Sequence, residues 1–167
     1  VFIVSLAYCQ QRIAAAPAYL QLTGESIDGD EVSANTKQLS IMYEPGVARG
    51  ELQISQLKSM NQDINELITQ VKEKLIYFTI SIPEGKFAFG DSMNERFSTQ
   101  GEIVVDDHKS AFTVEFDVSN MKDNRSNAFK VIGQGKLSFH KDFNVVDISV
   151  KDSFAFYFNQ NLTLFKP

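Results

Sequence analysis

From Leu75 to Phe165 the chain is a train of short segments in which large apolar residues alternate with polar ones at a period of two. In residues 111–118, AFTVEFDV, the side chains of Phe112, Val114, Phe116 and Val118 fall on one side and those of Thr113, Glu115 and Asp117 on the other, because successive strand side chains face opposite ways. The same period runs through Ile76, Phe78, Ile80 and Ile82, through Phe97, Ile103 and Val105, and through Phe154, Phe156 and Phe158. Strands are expected over 75–82, 86–90, 96–105, 109–119, 127–139 and 153–164, separated by turn-forming segments such as Pro83-Glu84-Gly85 and Asp106-Asp107-His108. Upstream, 19–25 and 47–54 alternate in the same way and 31–43 more weakly, with turns at Asp28-Gly29-Asp30 and Glu44-Pro45-Gly46.

Between 59 and 75 the period changes. Met60, Ile64, Leu67, Ile68, Val71 and Leu75 recur at steps of three and four, which puts one apolar stripe on a helix over about 59–74, with Ser59 as its N-cap. Many short strands around one inserted helix predict an all-β sandwich or barrel. Gly50, Gly101 and Gly135 each precede apolar residues at +2 and +4. A glycine repeated at one strand position fits the corners of a coiled barrel, or is coincidence.

The pattern from residue 18 to 166 suits one domain, with 10–17 (QQRIAAAP) as a linker. Lys and Arg number 16 against 21 Asp and Glu, a formal charge of −5, which argues against nucleic acid and against an anionic lipid surface as partners. No stretch reaches the ~20 apolar residues of a membrane-spanning helix. Residues 1–9, VFIVSLAYC, leave three readings open: the tail of a truncated signal peptide, a lipoprotein start at Cys9, or a docked or disordered N-terminus. The first two imply a periplasmic or secreted protein.

Candidate chemistry is sparse. His108 and His140 have no second His or Cys at zinc-site spacing, and the acidic turns at 28–31 and 106–107 lack the ligand count of a calcium loop. No nucleophile elbow or phosphate-binding glycine loop is present, so no catalytic residue, metal or cofactor is expected. The apolar interior is different, because 13 of the 14 phenylalanines lie in the strand-rich half, every one except Phe2. Alternation places Phe78, Ile80, Phe112, Phe116, Phe129, Val131, Phe139, Phe154, Phe156 and Phe158 inward. They either fill one another's space as a packed core or line a lumen. Glycines 50, 101, 133 and 135 argue for the lumen by removing side-chain volume from one zone.

A run of segments in fixed order resembles the YceI-like family, periplasmic lipocalin-like barrels associated with polyisoprenoid binding. It comprises Leu57-Lys58-Ser59 leading into the helix, Ile76 to Pro83, FSTQGEIVV at 97–105, Ala111 to Val118, IGQGKLSF at 132–139, the pair Asp142-Phe143 and a closing strand through Leu164. The turn at 106–111 (DDHKSA) and the stretch 19–43 depart from the family's usual pattern. The resemblance implies an antiparallel lipocalin-like β-barrel with the helix near its opening. It further implies non-enzymatic binding of a long apolar or amphiphilic lipid, such as an isoprenoid or fatty-acyl chain. The competing expectation is a structural or interaction module of the cell envelope with a filled core; pairing of two copies through a strand edge is compatible with either.

Overall fold

The last strand returns to the first, and that closure makes the fold. The computed structural model describes residues 12–71, 75–87, 94–123 and 126–165. Among them the strands are β1 (Arg12–Ala15), β2 (Ala18–Glu25), β3 (Glu31–Glu44), β4 (Val47–Gln53), β5 (Leu75–Ser81), β6 (Asn94–Val105), β7 (His108–Asp123), β8 (Ser126–Ser138) and β9 (Ser153–Phe165). Helix α1 is Gln62–Val71 and the five-residue α2 is Phe139–Phe143. β2 to β9 pair antiparallel in sequence order and β9 pairs back to β2, which closes an eight-stranded barrel. Closure leaves no wide sheet edge between these strands.

β1 lies within the stretch expected to be a linker, but it is a strand. It pairs with the far part of β9, Arg12↔Phe165 to Ala15↔Leu162, while β2 takes the near part, Tyr19↔Asn159 to Thr23↔Ala155. The two are pieces of one wall strand, interrupted at Ala16-Pro17 because proline has no N–H for a ladder.

β3 alternates weakly in sequence for a visible reason. Val32, Ala34 and Thr36 face inward, then a register shift against β2 flips the phase, so that Leu39 and Ile41 face inward next. The bulge is tied by a hydrogen bond from the Gln38 amide to Thr36 Oγ1 at 3.1 Å.

Three expected boundaries move. Helix α1 starts after Asn61, whose Oδ1 accepts from the Ile64 amide (3.1 Å), so Asn61 and not Ser59 is the N-cap. Ser59 instead donates to the Ser33 carbonyl and accepts from the Asn61 amide, and Met60, left outside the helix, is fully exposed. Lys86 and Phe87 belong to a turn rather than a strand, and Phe139 opens α2 rather than extending β8, because Ser138 caps that helix by accepting from the Lys141 amide. Residues 1–11, 72–74, 88–93 and 124–125, which carry the three N-terminal readings, the start of the linker and the expected ends of the helix and of the 86–90 strand, lie outside the described residues.

The helices occupy one end of the barrel, beside the β2–β3 and β6–β7 turns; call it the upper end. Ile64, Leu67 and Val71 of α1 are buried against the barrel mouth. The outer wall is charged, with cross-strand contacts such as Arg96 to Asp117 (2.6 Å) between register partners. An apolar inside and a charged outside are the reverse of a membrane-embedded barrel with an aqueous lumen.

Candidate functional site

The barrel interior holds two adjoining apolar cavities. The central one has a volume of about 60 Å3 and walls without polar surface, formed by Leu20, Leu22, Leu39, Leu52, Ile76, Phe78, Ile80, Ile103, Phe112, Leu137, Phe143, Phe156 and Phe158. The upper one, about 40 Å3, lies beneath α1, between Ile64, Leu67, Ile68 and Val71 on one side and Val32, Ala34, Phe139, Phe143 and Phe154 on the other. Leu22 and Phe143 line both.

Of the ten residues expected to line a lumen, Phe78, Ile80, Phe112, Phe156 and Phe158 do so at the centre, and Phe139 and Phe154 do so at the upper end, where their rings stack at 4.3 Å. Phe116, Phe129 and Val131 are buried on the inner face, as the alternation requires, but border neither cavity. Leu20 and Leu22 share a face in the β2 alternation and were legible as inward. Phe143 was not, because a five-residue helix gives no period to read.

The inner glycines act differently from the expectation. They do not leave empty space, because each seats a phenyl ring from its register partner on the next strand. A Cβ added at Gly50 would lie 2.1 Å from Phe78 Cζ; at Gly133, 2.2 Å from Phe158 Cζ; at Gly101, 2.5 Å from Phe112 Cζ; and at Gly135, 2.7 Å from Phe156 Cε1. The rings therefore lie down over bare backbone, the pairing by which aromatics cover glycines in sheets. The lumen is narrowed by their thickness rather than by their full length.

The lower end is plugged. Tyr43 stacks on Phe87 (5.2 Å), and Phe87 meets Phe97 and Phe116 edge-on at 5.7 and 5.5 Å. Below this cluster Gln160 takes an inward position between Phe158 and Leu162. Its Oε1 accepts from the Tyr43 hydroxyl (2.9 Å) and its Nε2 donates to the carbonyls of Ala16 (2.7 Å) and Ile41 (3.1 Å). One amide thus ties together the backbone of β3 and of the segment where Pro17 interrupts the wall. Burial pushes the Tyr43 phenol well above its ordinary range.

The upper end is held by polar contacts around α2. Asp142, buried, accepts from Ser110 Oγ (2.5 Å) and from the Ser138 amide (2.6 Å). Asp152 accepts from Ser138 Oγ (2.6 Å) and the His140 amide (2.9 Å). Partial burial pulls the Asp152 carboxyl upward, but these hydrogen bonds, the His140 charge and the Phe139 amide outweigh it and hold its pKa below the ordinary value. Asn144, in the left-handed region at φ 54°, ends the helix, its amide donating to the Phe139 carbonyl.

No protein-family profile and no curated protein matches the sequence. Among solved structures, a polyisoprenoid-binding domain from Saccharophagus degradans, implicated in plant cell wall breakdown, superposes with a TM-score of 0.65 over 92% of this chain and 97% of that one, at 7% identity. The chain shares the fold of that domain. BcnA from Burkholderia cenocepacia is similar too, with a TM-score of 0.58 over 86% of this chain and 95% of its own, at 13% identity. The lipocalin-like barrel that the YceI-like resemblance led us to expect is the observed fold.

The histidines fall apart from one another in role. His108 opens β7 with Nε2 against the Lys141 carbonyl, and His140 is exposed on α2. Among the described residues no group of His, Cys, Asp and Glu is disposed to hold a metal ion, and no helix is long and apolar enough to cross a membrane.

Proposed function

We propose that this barrel binds one long apolar chain, of the isoprenoid or fatty-acyl kind, in its interior and without chemical conversion. The observation that carries this reading is the pair of apolar cavities that meet at Leu22 and Phe143, one in the barrel and one under a helix that closes its mouth. The fold shared with a domain described as polyisoprenoid-binding supports it. A protein doing this works where an apolar chain must pass through water, which fits the periplasm or the outside of a cell.

The cavities, about 60 and 40 Å3, are far below the ~300 Å3 at which small-ligand sites begin. Entry of a chain is therefore coupled to movement, and α1 is the element suited to it. It buries only Ile64, Leu67 and Val71 on one face, and its outer face carries exposed polar residues such as Glu66, Thr69 and Gln70. The same small volumes favour a second reading, a filled-core module acting through its surface.

Native mass spectrometry of the protein stripped of lipid and then mixed with farnesol, geranylgeraniol or palmitate separates the two. The carrier reading expects a stoichiometric complex with at least one of them, and a rise in Tm with ligand concentration. An unbound mass with all three, and an unchanged Tm, refutes it and leaves the filled-core module.

A further inference from the structure

Phe143 stands where the two cavities meet, and it is not free to swing. Its neighbour Asp142 is buried and anchored on both carboxylate oxygens, by Ser110 of β7 and by the Ser138 amide at the start of α2. The helix is fixed again at its other end by the Asn144 cap. The Phe143 ring packs against Phe139 (6.3 Å) and Phe154 (5.5 Å), both of which line the upper cavity, while Phe143 itself also lines the central one. Leu22, the other shared residue, sits on the wall strand β2, so only Phe143 enters from an element outside the barrel wall.

We propose that Phe143 is a chain-length determinant: a fixed partition that ends the barrel chamber and so limits how far an apolar chain reaches toward α1. This rests on the carrier reading and deepens it, since it names the residue that selects among chains of the same chemistry. The physical reason is that affinity in an apolar chamber grows with each buried methylene until the chain meets a wall, and falls once the extra carbons must remain in water or displace packed side chains. A ring anchored through its backbone by a buried, doubly bonded carboxylate makes such a wall. A flexible side chain would merely move aside.

The test is the affinity series geraniol, farnesol, geranylgeraniol, measured by native mass spectrometry on delipidated full-length protein and on Phe143→Ala and Phe143→Leu. Removing the ring joins the two cavities, so Phe143→Ala raises the affinity ratio of the longest to the shortest bound prenol at least about tenfold. That is a modest part of what burying one more isoprene unit supplies. Phe143→Leu falls between, and it decides the matter if the alanine variant fails to fold. An unchanged ratio in a folded variant, with wild type binding normally, overturns the partition and leaves the carrier reading standing. Failure of wild type to bind any prenol overturns both.

Discussion

Replacing Gly133 with alanine drives a methyl group into the ring of Phe158. The added Cβ would lie 2.2 Å from Cζ and 2.3 Å from Cε1, where ordinary contact begins at 3.4 Å, so the ring must retreat by roughly 1 Å. It has little room to do so, since Phe158 is buried and Phe116 packs edge-on with ring centres 6.0 Å apart. Overpacking of this kind costs about 1–3 kcal/mol. Against it stands the ~0.4–1 kcal/mol that Gly→Ala contributes by restricting the unfolded chain, available here because Gly133 does not have a positive φ. Gly133→Ala is therefore expected to destabilise by roughly 1–2 kcal/mol. In a Phe158→Ala background, itself about 3–5 kcal/mol less stable, the obstacle is gone and the same substitution becomes neutral or stabilising. Urea unfolding of the four proteins, followed by circular dichroism and by tyrosine fluorescence to check that the transitions coincide, gives the coupling directly. Equal effects of Gly133→Ala in both backgrounds, within about 0.5 kcal/mol, would refute the idea that the glycine exists to seat the ring.

Two further predictions concern polar groups at the ends of the barrel. Because burial raises the Tyr43 pKa, the folded protein keeps a proton that the unfolded chain releases. The associated stability is complete below the ordinary tyrosine value near 10 and falls as pH rises above it. Tyr43→Phe should flatten that alkaline limb of a plot of stability against pH; a limb unchanged by the substitution would count against the assignment. At the upper end the lowered Asp152 pKa has the opposite sign: its contribution is present above the ordinary Asp value near 3.9 and is lost as pH falls through the lower folded value. Asp152→Asn should weaken the acid limb, and amide hydrogen exchange should show faster opening at His140, whose amide donates to Asp152; unaltered exchange there would refute the anchoring role.

Much of this fold was legible from local pattern, because strand periodicity is a local consequence of backbone geometry. Phe112, Val114, Phe116 and Val118 all face inward as the alternation requires, and Ile64, Leu67 and Val71 form the buried stripe of α1. The ends of elements were less legible. Asn61 rather than Ser59 caps α1 because Ser59 is drawn to the Ser33 carbonyl, a partner 26 residues away that no local window contains. The weak alternation of β3 was a true signal of a bulge that reverses its phase, visible only once β2 fixes the register.

The sequence alone determined which residues are apolar, at what period, and hence that a sheet with one phenylalanine-rich face would form. Tertiary structure decided what that face encloses. Whether a glycine opens space or seats a ring depends on which residue lies opposite it on the neighbouring strand, and cross-strand register is a long-range property: Gly50 meets Phe78, and Gly133 meets Phe158. In the same way, only closure of the barrel brings Gln160 to Tyr43, Ala16 and Ile41, and sets Phe143 between two cavities, one walled by β2 to β9 and the other lying under α1. Local sterics fix the direction of each side chain, whereas the space it meets is fixed by residues far along the chain.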